Sequence, residues 1–379
     1  MKENQVKKNR KLDFLKSKYG ESYDLSDLNI AAEDINKEQL KKEWNELKKN
    51  QIKYSDMCQS TINSIKLTNS SLDKIKFCGN YLEFLANKSF EKHKLIRGSF
   101  CCTRLCPTCA KRKSLRWIFA LSLMIEYVNS TYDYEYLLLT LTAPNVKGDD
   151  LHDELTKYSK AFDQMLKRKK YKAVNKGFIR KLEITYNKKT DTYHPHYHVI
   201  IAVNKSYFKD KELYIKRDTW LKDWQRAMKD ESITQVDIRK VYNKSTVDSD
   251  LSKSSIQTGI LEVAKYTAKS GDYLISEDVF IAFWNALKYM REFTFGGCFK
   301  EAHNLFKLGE LDDLIPEDNT KWFYRLIYRW SDIKMSYSDF LTEIKTNEDF
   351  EKDFDGMLDF YRYQSSYDFN DDSDASLFD

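Results

Sequence analysis

Apolar positions along the chain change their period several times, and each change marks an element. Val199-Ile200-Ile201-Ala202-Val203 closes the stretch from Tyr193 as a run that reads as a buried strand. Tyr136–Thr142 is a second buried strand, ended by Ala143-Pro144-Asn145, and Gly177–Asn187 is a third. The polar turn Lys188-Lys189-Thr190-Asp191 joins that third strand to the run containing Val199 as a hairpin. Ile233–Val241 alternates as a half-exposed strand, and Arg291–Lys300 reads as a last strand and tight turn closing the domain. Helical spacing appears in Arg116–Val128, in Leu151–Met165, and in Lys211–Lys229, which would bury Leu213, Leu221 and Trp224. Gly259–Gly271 reads as one helix stopped by its final glycine. Ahead of these, Leu40, Trp44 and Leu47 mark a helix in a lysine-rich segment; behind them, Asp318 to about Ile344 looks helical, with Trp322, Phe323, Trp330 and Phe340.

Composition changes the picture in two ways. From Thr346 onward eleven acidic residues stand against Lys352 and Arg362, so the net charge of +5 hides about +14 on the rest of the chain. A basic body rich in Tyr, Phe and Trp suits nucleic acid, whose phosphates need cations and whose unpaired bases stack on rings. The acidic stretch has no periodicity and is expected to be a mobile tail. No run of about 18 apolar residues is present, and the first residues lack the apolar segment of a secretory signal. The expectation is a cytoplasmic protein without a membrane partner, whose seven cysteines stay reduced.

Three of the six histidines fall within five positions, at His194, His196 and His198. Positions i and i+2 of a strand share a face, so His196 and His198 project together and form half of a metal site. Antiparallel pairing about Lys189/Thr190 sets Glu183 opposite His196, on the histidine face, with directly opposed Cβ atoms about 5 Å apart. Two imidazoles and one carboxylate with open positions suit Mg²⁺ or Mn²⁺ acting on a phosphate. His194 is either an additional ligand or a partner behind the ligands.

The cysteines suggest a second ion. Cys106-Pro107-Thr108-Cys109 is a zinc half-site, with two thiolates on one turn; Cys78 and either Cys101 or Cys102 would complete it. Such a structural Zn²⁺ would present Arg104, Lys111, Arg112 and Lys113 on one basic, DNA-binding surface. Cys298 reads as a small buried hydrophobe. In Gly259–Gly271, helical spacing puts Glu262, Tyr266 and Lys269 on roughly one face. A tyrosine hydroxyl is a poor nucleophile unless an ammonium or a metal favours its phenolate. Tyr266 has such neighbours, and Tyr273 is the runner-up.

These motifs occur in the order Cys101…Cys106-Pro107…Cys109, Leu139-Thr140-Leu141-Thr142, His194-Pro195-His196…His198, then Glu262…Lys265-Tyr266…Lys269…Asp272. In that order the chain resembles the HUH endonuclease superfamily, and within it the replication initiators of rolling-circle plasmids of Gram-positive bacteria. The resemblance runs from about Cys78 to Lys300. It implies an α+β fold with a central antiparallel sheet flanked by helices. The cysteine-rich zinc module and the helical extensions at both ends are read from the residues, and the first 75 residues and the acidic tail lie outside the resemblance. The expected organisation is a basic helical extension over 1–75, the zinc module over 76–115 and the nuclease domain over 116–303. A helical segment over 304–345 and the acidic tail over 346–379 follow.

The resemblance also implies site- and strand-specific nicking of origin DNA. Tyr266 would attack the scissile phosphate to leave a 5′-phosphotyrosyl link and a free 3′-OH, while Glu262 activates water at termination. No Gly-x-x-x-x-Gly-Lys-Ser/Thr loop is present, so unwinding would fall to a host helicase and the host replication machinery. A mobilisation relaxase or single-strand transposase of the same superfamily would use the same chemistry. A non-catalytic, zinc-stabilised DNA-binding regulator is the reading from a different class.

Overall fold

The computed structural model describes residues 33–34, 37–241, 256–264, 267–315 and 320–343. It opens with the two-residue strand β1 (Glu33–Asp34), helices α1 (Lys37–Ser60) and α2 (Asn69–Lys76), and the hairpin β2 (Tyr81–Asn87) and β3 (Lys92–Gly98). Helix α3 (Pro107–Tyr132), strand β4 (Glu135–Thr142), helices α4 (Leu151–Leu166) and α5 (Lys169–Val174), and strands β5 (Asn175–Asn187) and β6 (Thr192–Val203) come next. After them run α6 (Arg217–Met228), β7 (Val236–Val241), α7 (Ile256–Val263), α8 (Ser270–Tyr273) and α9 (Glu277–Leu287). The last described elements are β8 (Phe293–Gly297), α10 (Cys298–Lys307), β9 (Trp322–Ser331) and β10 (Ser336–Glu343).

The main sheet has the order β7-β4-β6-β5-β8, antiparallel throughout. Its central strand β6 carries the continuous buried run Val199–Val203 that a strand covered on both faces requires. Tyr193, Tyr197, Val199 and Ile201 pack on one side among residues of α4, α6 and α9, with Tyr158 edge-on to both Tyr197 and Trp224. Ile200 and Ala202 face the opposite side, among residues of α3, α7 and α10. The histidines share this second face by parity, so the site lies on the α3/α7 side of the sheet.

A second antiparallel sheet, β1-β3-β2-β9-β10, corrects two expectations. Residues 320–343 are not helical: Trp322–Ser331 and Ser336–Glu343 form a hairpin paired to β2. Inward residues Leu326 and Tyr328 alternate at period two and meet Leu82, Phe84 and Tyr337 under Leu40 and Trp44 of α1. Nor does the described part of the N-terminal segment stand apart as an extension. Helix α1 turns Leu40 and Trp44 to this second core and Tyr54 and Cys58 to the main one, so it bridges the two sheets. Gly79 has φ +73°, a left-handed turn that glycine makes without strain, and its carbonyl accepts from the Tyr337 hydroxyl of the hairpin. Among the described residues no helix is long and apolar enough to cross a membrane.

If the β9–β10 hairpin is part of the core, Leu326→Ala should lower the free energy of unfolding by about 2–5 kcal/mol, because Leu326 is fully buried. Phe340→Ala, at a side chain 55% exposed, should change it by no more than about 0.5 kcal/mol. Denaturant unfolding of the two variants checks this, and equal small losses would contradict it.

Candidate metal centres

The β5–β6 hairpin builds the first centre. Asn187 pairs with Thr192 across the Lys188–Asp191 turn, and the register carries Glu183 to His196 and Lys181 to His198. Glu183 Oε2 lies 2.9 Å from His198 Nε2 and 3.3 Å from His196 Nε2. One ligand atom from each of the three residues falls within 4.8 Å of the others. This spacing and the N₂O donor set fit a divalent cation, and three ligands leave coordination positions open. Burial pushes the Glu183 carboxyl up, but hydrogen bonds and charge from His196 and His198 outweigh it and hold the carboxyl below its ordinary value.

The rings are aimed from behind. His198 Nδ1 lies 3.3 Å from Thr140 Oγ1, its direct neighbour on β4, and 3.7 Å from Glu262 Oε1 on α7. A proton on Nδ1 facing those oxygens leaves the Nε2 lone pair for an ion. His194 holds its ring tilted 5.5 Å from that of His196 but is outside the ligand group. Pro195 falls just past Thr142↔His196, the last β4–β6 pair, where the ladder on that side has ended.

The tyrosine segment departs from one continuous helix. α7 ends at Val263, and Lys269 is an exposed residue in extended conformation capping the separate turn α8. Glu262 and Lys269 therefore do not share one helical face. Tyr266 and Lys265 lie outside the described residues. Tyr273, the runner-up, is 1% exposed and donates its hydroxyl to the Leu105 carbonyl, a packing role.

The second centre is the cysteine group. Cys78, Cys101, Cys106 and Cys109 are all buried, with their sulfurs within 4.8 Å of one another. Cys78 Sγ is 3.5 Å from both Cys106 Sγ and Cys109 Sγ, and Cys101 Sγ is 3.7 Å from Cys109 Sγ. Burial pushes the Cys101 thiol up, yet hydrogen bonds from Cys106, Cys109 and Cys78 bring it well below its ordinary value. Burial holds Cys106 well above its own. Four sulfurs at this spacing suit a tetrahedral ion such as Zn²⁺. Of the adjacent pair, the structure brings Cys101 to the group. Cys102 has φ 60°, sends its N–H to Cys109 Sγ at 3.3 Å, and turns its sulfur to Arg112. Cys298 is 7% exposed and packs in the apolar core of the α3 face.

The expected basic surface over this module does not form as one patch. Arg112 is 3% exposed and lies over the Phe100 ring at 4.5 Å. Lys111 pairs with Glu43 at 2.9 Å, Lys113 with Glu292 at 2.9 Å, and Arg104 donates to the Leu287 carbonyl. Lys111, Lys113 and Arg104 meet partners distant in sequence, whereas Arg112 folds back on the nearby Phe100 and Cys102.

A family model described as "Replication protein" matches residues 92–338. A curated protein of Staphylococcus aureus named "Protein rep" is 42% identical over 208 residues, covering 55% of this chain and 86% of that protein. "Protein rep" of Lentilactobacillus hilgardii is 32% identical over 297 residues, or 76% and 90% of the two chains. "Protein rep" of Streptococcus pneumoniae is 28% identical over 313 residues, or 80% and 94%. No solved structure matches.

Because a structural ion couples to folding, Cys106→Ser should bind less zinc and unfold at lower temperature than the parent. Metal analysis of protein purified without chelator, together with a thermal melt, checks both. Parent protein with no zinc would remove the ion from this site.

Proposed function

The chain belongs to the replication protein family, and on that premise we propose that it initiates plasmid rolling-circle replication by nicking one strand of its origin DNA. The observation that carries the reading is the Glu183, His196 and His198 group, three side chains on one sheet face with open coordination positions. Glu183, His196 and His198 would hold Mg²⁺ or Mn²⁺. Such an ion, when bound, polarises a phosphate as a Lewis acid. Glu183 supplies the anionic ligand, kept ionised by its two histidine partners. Thr140 and Glu262 fix the orientation of His198.

The phenol of Tyr266 is the proposed nucleophile. Its oxygen forms a bond to the scissile phosphorus as the bond to the 3′ oxygen breaks; the phenolic proton is lost to water, and the departing 3′ oxygen takes up a proton from water. The products are a 5′-phosphotyrosyl link and a 3′-OH primer. Glu262, close to the histidines, is the proposed base that takes a proton from water in the terminating cleavage. Cys78, Cys101, Cys106 and Cys109 would hold Zn²⁺ as a structural group. Lys269 keeps only an indirect part in this scheme, since its helix is separate from that of Glu262. Origin DNA is the partner the family implies, and a host helicase would unwind the duplex. The "Replication protein" match favours this reading over a mobilisation relaxase or transposase.

Three variants separate the roles when a supercoiled origin plasmid is incubated with Mg²⁺ or Mn²⁺. Tyr266→Phe keeps the ring but lacks the bonding oxygen, and should lose nicking and adduct while still binding the origin. His198→Ala should abolish cleavage yet leave duplex binding largely intact; loss of folding and binding together would instead mark a structural site. Glu262→Ala should nick and form adduct but terminate poorly, since a positioned base is worth about 10²–10⁴-fold. Gel analysis of product length reads that difference. Parent protein that binds origin DNA but never forms an adduct with either metal would favour the non-catalytic regulator.

A further inference from the structure

The residues on either side of Lys265–Tyr266 are held by two different parts of the molecule. On one side, Ser114 of α3 donates its hydroxyl to the Ala264 carbonyl at 2.6 Å. On the other, the Thr267 carbonyl accepts from the Ile184 N–H of β5 at 2.8 Å. This second bond takes a free sheet edge. The last β5–β8 pair is Lys181↔Phe293, and beyond it Leu182 and Ile184 donate to the carbonyls of Glu292 and Thr267. Strand β5 is also the strand that brings Glu183 to the histidines.

A buried ionic network reinforces the attachment. Lys181 is 1% exposed, ion-pairs with Glu292, and donates to Thr267 Oγ1 at 3.1 Å. Glu292 is 8% exposed, and its other oxygen meets Lys113 of α3 at 2.9 Å. A small cavity among Lys113, Ser114, Thr267 and Glu292 marks where these elements converge. A buried ion pair is a poor source of net stability, since an apolar side chain of similar volume often serves as well. Its directional bonds, by contrast, fix what they touch. Here they touch Thr267, the residue after the proposed nucleophile, from Lys181, which lies two positions along β5 from Glu183.

We propose that Ser114, Lys181 and Thr267 are positioning residues: a two-ended clamp that ties Ala264 and Thr267, the residues on either side of Lys265–Tyr266, to the helix rising from the cysteine group and to the strand carrying Glu183. The proposal rests on Tyr266 being the nucleophile. It gives the cysteine group a task in the reaction, because α3 begins at Cys106 and Pro107 and reaches Lys113 and Ser114 within two turns. An ion that fixes the start of α3 thereby fixes one end of the clamp.

The test uses the full chain and an oligonucleotide spanning the nick site of its own origin, mapped beforehand with the parent protein. Single-turnover adduct formation is measured at saturating Mn²⁺ and DNA for Thr267→Val, Thr267→Ser and Ser114→Ala. Misplacement of a reacting group by about 1 Å can cost 10²-fold, so the rate in Thr267→Val and Ser114→Ala should fall by about 10- to 100-fold. Affinities for DNA and Mn²⁺ should stay within about twofold of the parent, and Thr267→Ser should recover most of the rate. Amide exchange at Ile184 should quicken in Thr267→Val. Parental rates in both clamp variants would overturn the proposal, as would losses shared equally by rate, DNA affinity and Mn²⁺ affinity. Should Thr267→Val fail to fold, Ser114→Ala decides alone. An adduct that persists in Tyr266→Phe overturns the nucleophile and the clamp together, whereas an inactive Tyr266→Phe beside fast clamp variants overturns the clamp alone.

Discussion

The register of one hairpin governs the chemistry of this chain. Because side chains alternate across a strand, a slip of one residue between β5 and β6 would exchange every side chain between faces. His198 would then enter the core filled by Tyr197, and Tyr197 would occupy the metal face. Two features hold the register. The Lys188–Asp191 turn is pinned from outside by Lys147, whose ammonium donates to the carbonyls of Thr190 and Asp191. Along the strand, Tyr193 and Tyr197 fit between α4 and α9, and Tyr158 donates its hydroxyl to the Pro195 carbonyl. The apolar side of β6 therefore decides where the histidines stand.

The parts legible in the sequence were those set by local rules. His196 and His198 follow from the period of a strand, Glu183 from counting across a turn, and the sulfur pair Cys106 and Cys109 from the first turn of a helix. The misread parts depended on partners far along the chain. Trp322, Phe323 and Trp330 fit a helical stripe as well as they fit a strand. Their pairing with β2 decides between the two, and Tyr337 reaches Gly79 across 258 positions. Arg104, Lys111, Arg112 and Lys113 form a basic run in sequence, and only the fold shows that Glu43, Glu292, the Leu287 carbonyl and the Phe100 ring meet them one by one. The stretch Gly259–Gly271 has helical spacing throughout. Yet the helix ends at Val263, and the Thr267 carbonyl accepts from the Ile184 N–H at the free edge of β5.

The two metal groups differ as their ligands require. Four buried thiols make a closed, soft site whose whole coordination is protein, the form of an ion that holds structure. Two imidazoles and a carboxylate on a partly open face leave positions for oxygen ligands, the form of an ion that meets a substrate. Thiolates at the second site would favour a tightly held soft metal with no room for phosphate. Carboxylates in place of the imidazoles at the first would bring like charges together on a face only partly open to water.

The position of the closed site in the chain explains what it holds. Cys78 and Cys101 flank the β2–β3 hairpin, so an ion joining them closes the base of that excursion, while Cys106 and Cys109 fasten it to the start of α3. Bonds to the backbone around the group extend its reach. Lys48 of α1 donates to the Cys78 carbonyl at 2.7 Å, and Tyr54 of α1 donates to Thr103 at 3.0 Å. Tyr337 of β10 caps Gly79. The second sheet thus meets the first through a knot of four sulfurs and three polar side chains. Closing the β2–β3 loop with a fixed ion removes freedom that apolar contacts alone would have to offset. The same knot is the starting point of α3, the helix that packs on the histidine-bearing face of the main sheet. Order in the second sheet therefore reaches the Glu183, His196 and His198 group through rigid backbone, with no need for the two sheets to touch there.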